Sequence, residues 1–134
     1  QFALPIDPSE RVAKLKACKR AKIMKIEGWI IALSHVSAFQ APAAKALVDL
    51  GAHMSAVAGK KNGKVEISLR SIRQFNQQTG VHLGVDIATP LGEYLEGGVG
   101  GGHAMAAGVS GKGEIQDVLK KCLALLEAKI CKKE

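Results

Sequence analysis

The stretch Trp29-Ile30-Ile31-Ala32-Leu33 is five apolar residues in a row with no room for a polar face. An exposed helix would break such a run with polar positions, and a half-exposed strand would alternate. The run therefore fits a strand buried on both sides, in a sheet covered by helices. Ser34-His35-Val36-Ser37 leads out of it into Ala41–Gly51, an Ala/Leu-rich stretch that opens with Pro42 and closes with Gly51. Proline near the first turn and glycine just past the last mark a helix. His53–Ala58 reads as a second strand. Asn62-Gly63 is a hairpin signal, and Lys64–Ser71 after it alternates cleanly. Val65, Ile67 and Leu69 point one way; Glu66, Ser68 and Arg70 point the other, with Ser71 just beyond.

Outward from this centre the pattern continues. Before it, Pro5 and Pro8 punctuate the start. Ser9 is the expected N-cap of a helix from about Glu10 to Lys25, with a thin apolar seam at Val12, Leu15, Cys18, Lys22 and Ile26. After it, Asp86–Leu95 is expected to be helical, with Pro90 blurring its start. Ala104–Val109 is expected to be a strand. Glu114–Ile130 reads as a closing helix with Ile115, Val118, Leu119, Cys122 and Leu126 on one face. The order α-β-α-β-β-α-β-α predicts an α/β fold: a single domain with a mixed β-sheet flanked by helices.

The totals narrow the function. The 134 residues suit one domain with one core. The formal net charge of +7 favours polyanionic partners, and seven of the nineteen Lys and Arg residues fall between Arg11 and Lys25. Aromatics make up 4% of the chain, too few for the stacking platform of a non-specific single-strand binder, so a nucleic-acid grip would act on phosphate and sugar. Cys18, Cys122 and Cys131 form no disulfide framework or CxxC pair, which points to a reducing, cytoplasmic setting. No apolar run is long enough for a membrane span. The start at Gln1 carries no signal-peptide pattern and no initiator Met, so the chain is expected to be a piece or a processed form of something longer.

Nine of the fifteen glycines lie between Gly92 and Gly113. Gly97-Gly98-Val99-Gly100-Gly101-Gly102-His103 gives up side-chain packing and costs backbone entropy. Such a run is expected as a loop, where the backbone takes positive φ or another group approaches it closely. Successive N–H groups in a loop can form an anion-binding nest, and His103 adds a directional donor. The alternative is a flexible linker with an incidental histidine. A Rossmann fingerprint fits less well, because this run precedes an apparent strand rather than following one.

Gly100-Gly101-Gly102-His103-Ala104-Met105-Ala106-Ala107-Gly108 resembles the Gly-Gly-His…Ala-Ala-Gly signature of the DHH-associated domain. That domain is the C-terminal substrate-binding lobe of DHH-family phosphoesterases, which include RecJ-type exonucleases and oligoribonucleases. Ile67–Ser71 resembles the family's preceding strand, and Ala43–Ala52 resembles its helix ending in Leu-Gly-Ala. The editing lobe of alanyl-tRNA synthetase has a related glycine motif. The resemblance implies that residues 26–134 form the substrate-binding domain and residues 1–25 a basic connection to a catalytic lobe. It implies that Gly100, Gly101, Gly102, His103 and Arg70, with Ser68 or Ser71, hold a substrate phosphate. The substrate would be single-stranded DNA or RNA or a short oligonucleotide.

The same resemblance places two divalent metals, manganese or magnesium, on an Asp-His-His lobe. Here Asp7, Asp49, Asp86 and Asp117 are scattered, and His35, His53, His82 and His103 show no paired spacing. The chain by itself is therefore expected to carry no cofactor and no catalytic residue, with His35, His53 and His82 structural. A homodimer is one further arrangement. Other readings stay open: a stand-alone nucleic-acid-binding protein, a tRNA-related accessory domain, a module for cyclic or other small nucleotides, or a domain with no ligand.

Overall fold

In the computed structural model, residues 7–132 are described. Six strands form one mixed sheet in the order β1-β2-β3-β4-β6-β5: β1 Lys22–Ile26, β2 Trp29–His35, β3 Met54–Lys61, β4 Lys64–Ser71, β5 Glu96–Gly102 and β6 Ala106–Lys112. Among the described residues the α-helices are α1 Pro8–Arg20, α2 Gln40–Leu50, α3 Arg73–Thr79, α4 Thr89–Tyr94 and α5 Ile115–Ile130, and a π-helical segment spans Leu83–Ala88. The fold class is the expected one.

The pair β2–β3 is parallel, and α2 is the crossover that a parallel pair requires. The remaining pairs are antiparallel. At Asn62-Gly63 both residues take positive φ, as a tight hairpin needs. Strand parity sorts the sheet into two faces. Ile31, Leu33, Met54, Ala56, Ile67, Leu69 and Val109 face a large core closed by α3, the π-helical segment, α4 and α5. Ala32 and Val57 face a smaller core closed by Ala17 of α1 and by Ala43, Ala44 and Leu47 of α2. Two buried serines fasten that second layer. Ser34 Oγ donates to the Ala17 carbonyl at 2.7 Å, and Ser55 Oγ donates to the Ala44 carbonyl at 2.7 Å.

Several expectations need correction. The first helix stops at Arg20, and Lys22–Ile26 is the edge strand β1. Its buried face is Ala13 and Ala17, while Val12 and Leu15 are exposed. The cap is Asp7, whose side chain accepts from Ser9 N at 2.7 Å, rather than Ser9. The turn expected at Pro5 lies outside the described residues. Arg73–Thr79, unassigned in the sequence reading, is α3. The last strand begins at Ala106 rather than Ala104. The glycine run is not a loop but strand β5 at the sheet edge. In a strand successive N–H groups point in opposite directions, so they do not converge into a nest.

Candidate phosphate-binding face

The glycines of β5 divide by parity into two sets with different causes. Gly100 pairs with Val109 and faces the helical layer. A Cβ there would overlap the Ala88 carbonyl and lie 3.3 Å from Gly92 N. At Gly98 a Cβ would meet the Gly92 carbonyl, and at Gly92 one would lie 2.5 Å from Gly100 N. At Gly102, where φ is +142°, one would lie 2.6 Å from Ala107 Cα. Gly84 of the π-helical segment sits against the Gly102 backbone in the same way. These glycines let main chain lie directly on main chain. Their reason is packing, and no ligand need be invoked for them.

Gly101 and Gly108 are different. They oppose one another across β5 and β6. A Cβ at Gly101 would meet nothing within 4 Å, and one at Gly108 would only touch the Ile67 carbonyl at 3.7 Å. Neither takes a positive φ. Both are exposed, and both open onto the sheet face that α1 and α2 cover only over its other half. On the same face stand Ser68 and Arg70 of β4, Ser110 and Ala106 of β6, and Val99 of β5. Gln40, at the start of α2, borders the strip. It lies with Glu66, Ser68, Val99, Gly108 and Ser110 around a groove of about 290 Å³. A smaller hollow beside it joins Ser68 and Arg70 to Ala41 and Ala107.

Arg70 is the cation of this strip and is only half exposed; the exposed carboxylate Glu66, two residues before Ser68 on β4, lines the far end of the groove. Neighbouring charges are already matched: Lys14 with Glu10 at 3.2 Å and Lys45 with Asp49 at 2.9 Å. Among the described residues the Arg70 guanidinium has no carboxylate or carbonyl partner. A half-buried, unpaired guanidinium with a hydroxyl two residues away is suited to a tetrahedral oxyanion.

His103 ends the glycine strand, in a turn held from several sides. His103 N donates to the Ala106 carbonyl at 2.8 Å, and Gly84 N donates to the His103 carbonyl at 3.1 Å. Leu83 N and Asn76 Nδ2 both donate to the Ala104 carbonyl, at 2.9 and 2.8 Å. Ser71 N donates to the Met105 carbonyl at 3.0 Å. The His103 imidazole is exposed and, among the described residues, makes no hydrogen bond of its own. Its Cα is thus fixed while its ring stays available.

The structure therefore brings Ser68, Arg70 and Gly101 to one strip and leaves Gly100 and Gly102 on the packed side. Ser71 has the opposite parity. It is buried on the core face, and its Oγ donates to Asn76 Oδ1 at 2.8 Å. Asn76 also donates to the Val81 carbonyl at 2.9 Å, so Ser71 and Asn76 together buttress the His103 turn. Sequence reasoning missed Asn76, Ser110 and Gln40 as parts of this arrangement; Ser110 could have been found from strand parity alone.

Two of the other histidines have local side-chain partners. His53 Nδ1 accepts from Ile30 N at 2.8 Å, and its ring meets Trp29 edge-on at 5.1 Å. His82 Nδ1 accepts from Val85 N at 3.0 Å and caps the π-helical segment. Burial pushes the Cys122 thiol up to about 12. Among the described residues no three His, Cys, Asp or Glu side chains gather as metal ligands, and no helix is long and apolar enough to cross a membrane.

Comparison with known proteins adds a family. Residues 35–131 match the model of the DHHA1 domain. An uncharacterized protein of Methanocaldococcus jannaschii is 40% identical over 106 residues, covering 78% of this chain and 31% of that protein. The chain thus spans less than a third of that relative. The C-Ala domain of Aquifex aeolicus alanyl-tRNA synthetase superposes with a TM-score of 0.61 at 18% identity, over 81% of this chain and 97% of that one. An exopolyphosphatase-related protein from Bacteroides fragilis gives 0.60 at 19% identity, over 97% and 38%. At such identities the two structures share the fold.

Proposed function

The chain belongs to the DHHA1 domain family, and from that premise we propose that it holds the phosphate of a single-stranded nucleic acid or short oligonucleotide on the open strip of its sheet. The reading further takes the chain as the substrate-positioning lobe of a larger phosphodiesterase. The observation that carries it is the pair Gly101 and Gly108, bare of side chains where no packing requires it, beside the unpaired Arg70 and the Ser68 hydroxyl.

The chemistry follows from these groups. Arg70 would donate two parallel N–H bonds to phosphate oxygens, and Ser68 would add one O–H donor. Gly101 and Gly108 would let the sugar-phosphate lie flat on the sheet. His103, on its pinned turn, would orient or donate to the phosphate on the side facing the catalytic centre. The DHH catalytic domain, expected in the same polypeptide, would hold the divalent metals that activate water; the residues described here do not form such a site. Closure of the two lobes would gate turnover.

The test is a titration of 5′-labelled single-stranded DNA and RNA, two to ten nucleotides long, at two salt concentrations. Arg70→Ala is expected to weaken binding by roughly tenfold to a hundredfold, the loss of charge-assisted hydrogen bonds worth about 1.5–3 kcal/mol. His103→Ala is expected to weaken it less. Affinity that ignores both variants would contradict the proposal, and affinity that stops growing at two nucleotides would identify a small-nucleotide module instead.

A further inference from the structure

Seven basic residues between Arg11 and Lys25 take no part in the strip described above. The structure breaks this run at Ala21, where α1 ends and β1 begins. The break brings Arg20 and Lys22 into one cleft of about 190 Å³ with Lys120 of α5. Its floor is apolar and includes Met24, Leu33 and Leu119. Arg20 uses one nitrogen to donate to the His35 carbonyl at 3.2 Å, which leaves most of its donors unused.

None of these three cations has a carboxylate partner among the described residues. The ion pairs present involve Lys14, Lys45, Lys60 and Lys129. Like charges gathered without counter-charges repel one another, and an anion placed among them removes that repulsion. An apolar floor within a ring of cations suits an anion that carries a flat, weakly polar group. A nucleotide unit has that form: phosphate for the ring, base for the floor. His35 also lines the cleft; apolar and stacking contacts read a base's face and not its hydrogen-bonding edge, so the contact would discriminate little between bases.

We propose that this cleft is a second contact for single-stranded nucleic acid, gripping backbone phosphates through Arg20, Lys22 and Lys120 with a base against the apolar floor. It is separate from the glycine strip. The cleft lies at β1 and β2 on the α5 face, and the strip spans β4, β6 and β5 on the α1–α2 face. Three strand spacings of about 4.8 Å put Arg70 and Ser68 roughly 14 Å from β1 across the sheet, on its opposite side. A dinucleotide cannot bridge that distance, whereas a twelve-nucleotide strand, at about 3.4 Å per nucleotide, reaches roughly 41 Å. The choice of ligand rests on the function proposed above; the geometry of the cleft does not.

The experiment measures the binding of a labelled dinucleotide and a labelled twelve-nucleotide strand to the wild type, to Lys22→Ala/Lys120→Ala and to Arg20→Gln, across a salt series. Lys22 and Lys120 are exposed, so unchanged thermal unfolding should confirm that the double variant folds. Losing two phosphate contacts should lower the slope of log affinity against log salt by about 1.4 and weaken twelve-nucleotide binding about tenfold at 0.15 M salt. Arg20→Gln should lower the slope by about half as much. Dinucleotide binding should not change. A twelve-nucleotide affinity and slope equal to those of the wild type would overturn the inference. So would polyglutamate of equal charge displacing the strand as well as unlabelled strand does, because the cleft would then be a general acidic-chain site. Absence of dinucleotide binding to the wild type, with the slope change intact, would remove the glycine-strip reading and leave the cleft standing.

Discussion

Replacing single glycines of β5 and β6 by alanine should separate folding from binding. At Gly100 the new methyl would enter the Ala88 carbonyl and lie 2.7 Å from its carbon. Overpacking of this kind costs about 1–3 kcal/mol. The stiffer unfolded chain returns about 0.4–1 kcal/mol, which leaves a net loss of roughly 1–2 kcal/mol. An unfolding entropy of about 2.1 cal/mol/K per residue over 134 residues gives roughly 0.28 kcal/mol/K. Gly100→Ala should therefore lower Tm by about 4–7 °C. Gly101→Ala and Gly108→Ala meet no backbone and need no positive φ. Only the unfolded-state gain applies to them, and Tm should stay level or rise by about 1–4 °C. Their affinity for a short oligonucleotide should nevertheless fall, because the methyl occupies the surface on which the sugar-phosphate lies. Scanning calorimetry and fluorescence anisotropy on the three variants read both quantities. A Gly101→Ala protein as destabilised as Gly100→Ala, or one that binds as well as the wild type, would refute the division of the glycines by face.

Two further outcomes follow from the same structure. Asn76→Ala removes three hydrogen bonds and leaves the buried Ser71 hydroxyl without its acceptor; a loss of about 2–3 kcal/mol is expected in urea unfolding, with the midpoint lowered and the slope unchanged. Cys122, pushed by burial from 9.0 to about 12, keeps its proton in the folded state over a range where the unfolded chain loses it. Its share of the stability is fully present below pH 9 and is lost as pH rises toward about 12. The wild type should accordingly lose stability over that window more steeply than Cys122→Ala, in paired unfolding curves.

The sequence made the centre of the sheet legible and its edges obscure. β2, β4 and α2 carry strong local signals: a continuous apolar run, strict alternation, and a proline-to-glycine helix that the structure reproduces over Gln40–Leu50 with Gly51 after it. β1 was hidden because its lysines extend the basic run of α1 and pairing with β2 overrides local preference. α3 presents one buried residue, Phe75, too few for a periodic stripe, although Gly80 in the left-handed region marks its end. β5 is five-sevenths glycine and has no strand propensity at all. It is held by pairing to β6 and by main-chain contact with the π-helical segment and α4, which no local rule registers. At the site, Arg70 and Ser68 were placed correctly together by alternation. The same parity puts Ser71 on the buried face, so period-two counting already contained that distinction.

The most direct test of the central claim is a two-dimensional amide NMR titration of the wild-type chain with a 5′-phosphorylated dinucleotide. Binding on the open strip predicts shifts at Ser68, Arg70, Val99, Gly101, Gly108, Ser110 and the bordering Gln40, together with the His103 turn, and none at the β1 edge. Shifts that leave Gly101 and Gly108 unmoved while others respond would contradict it.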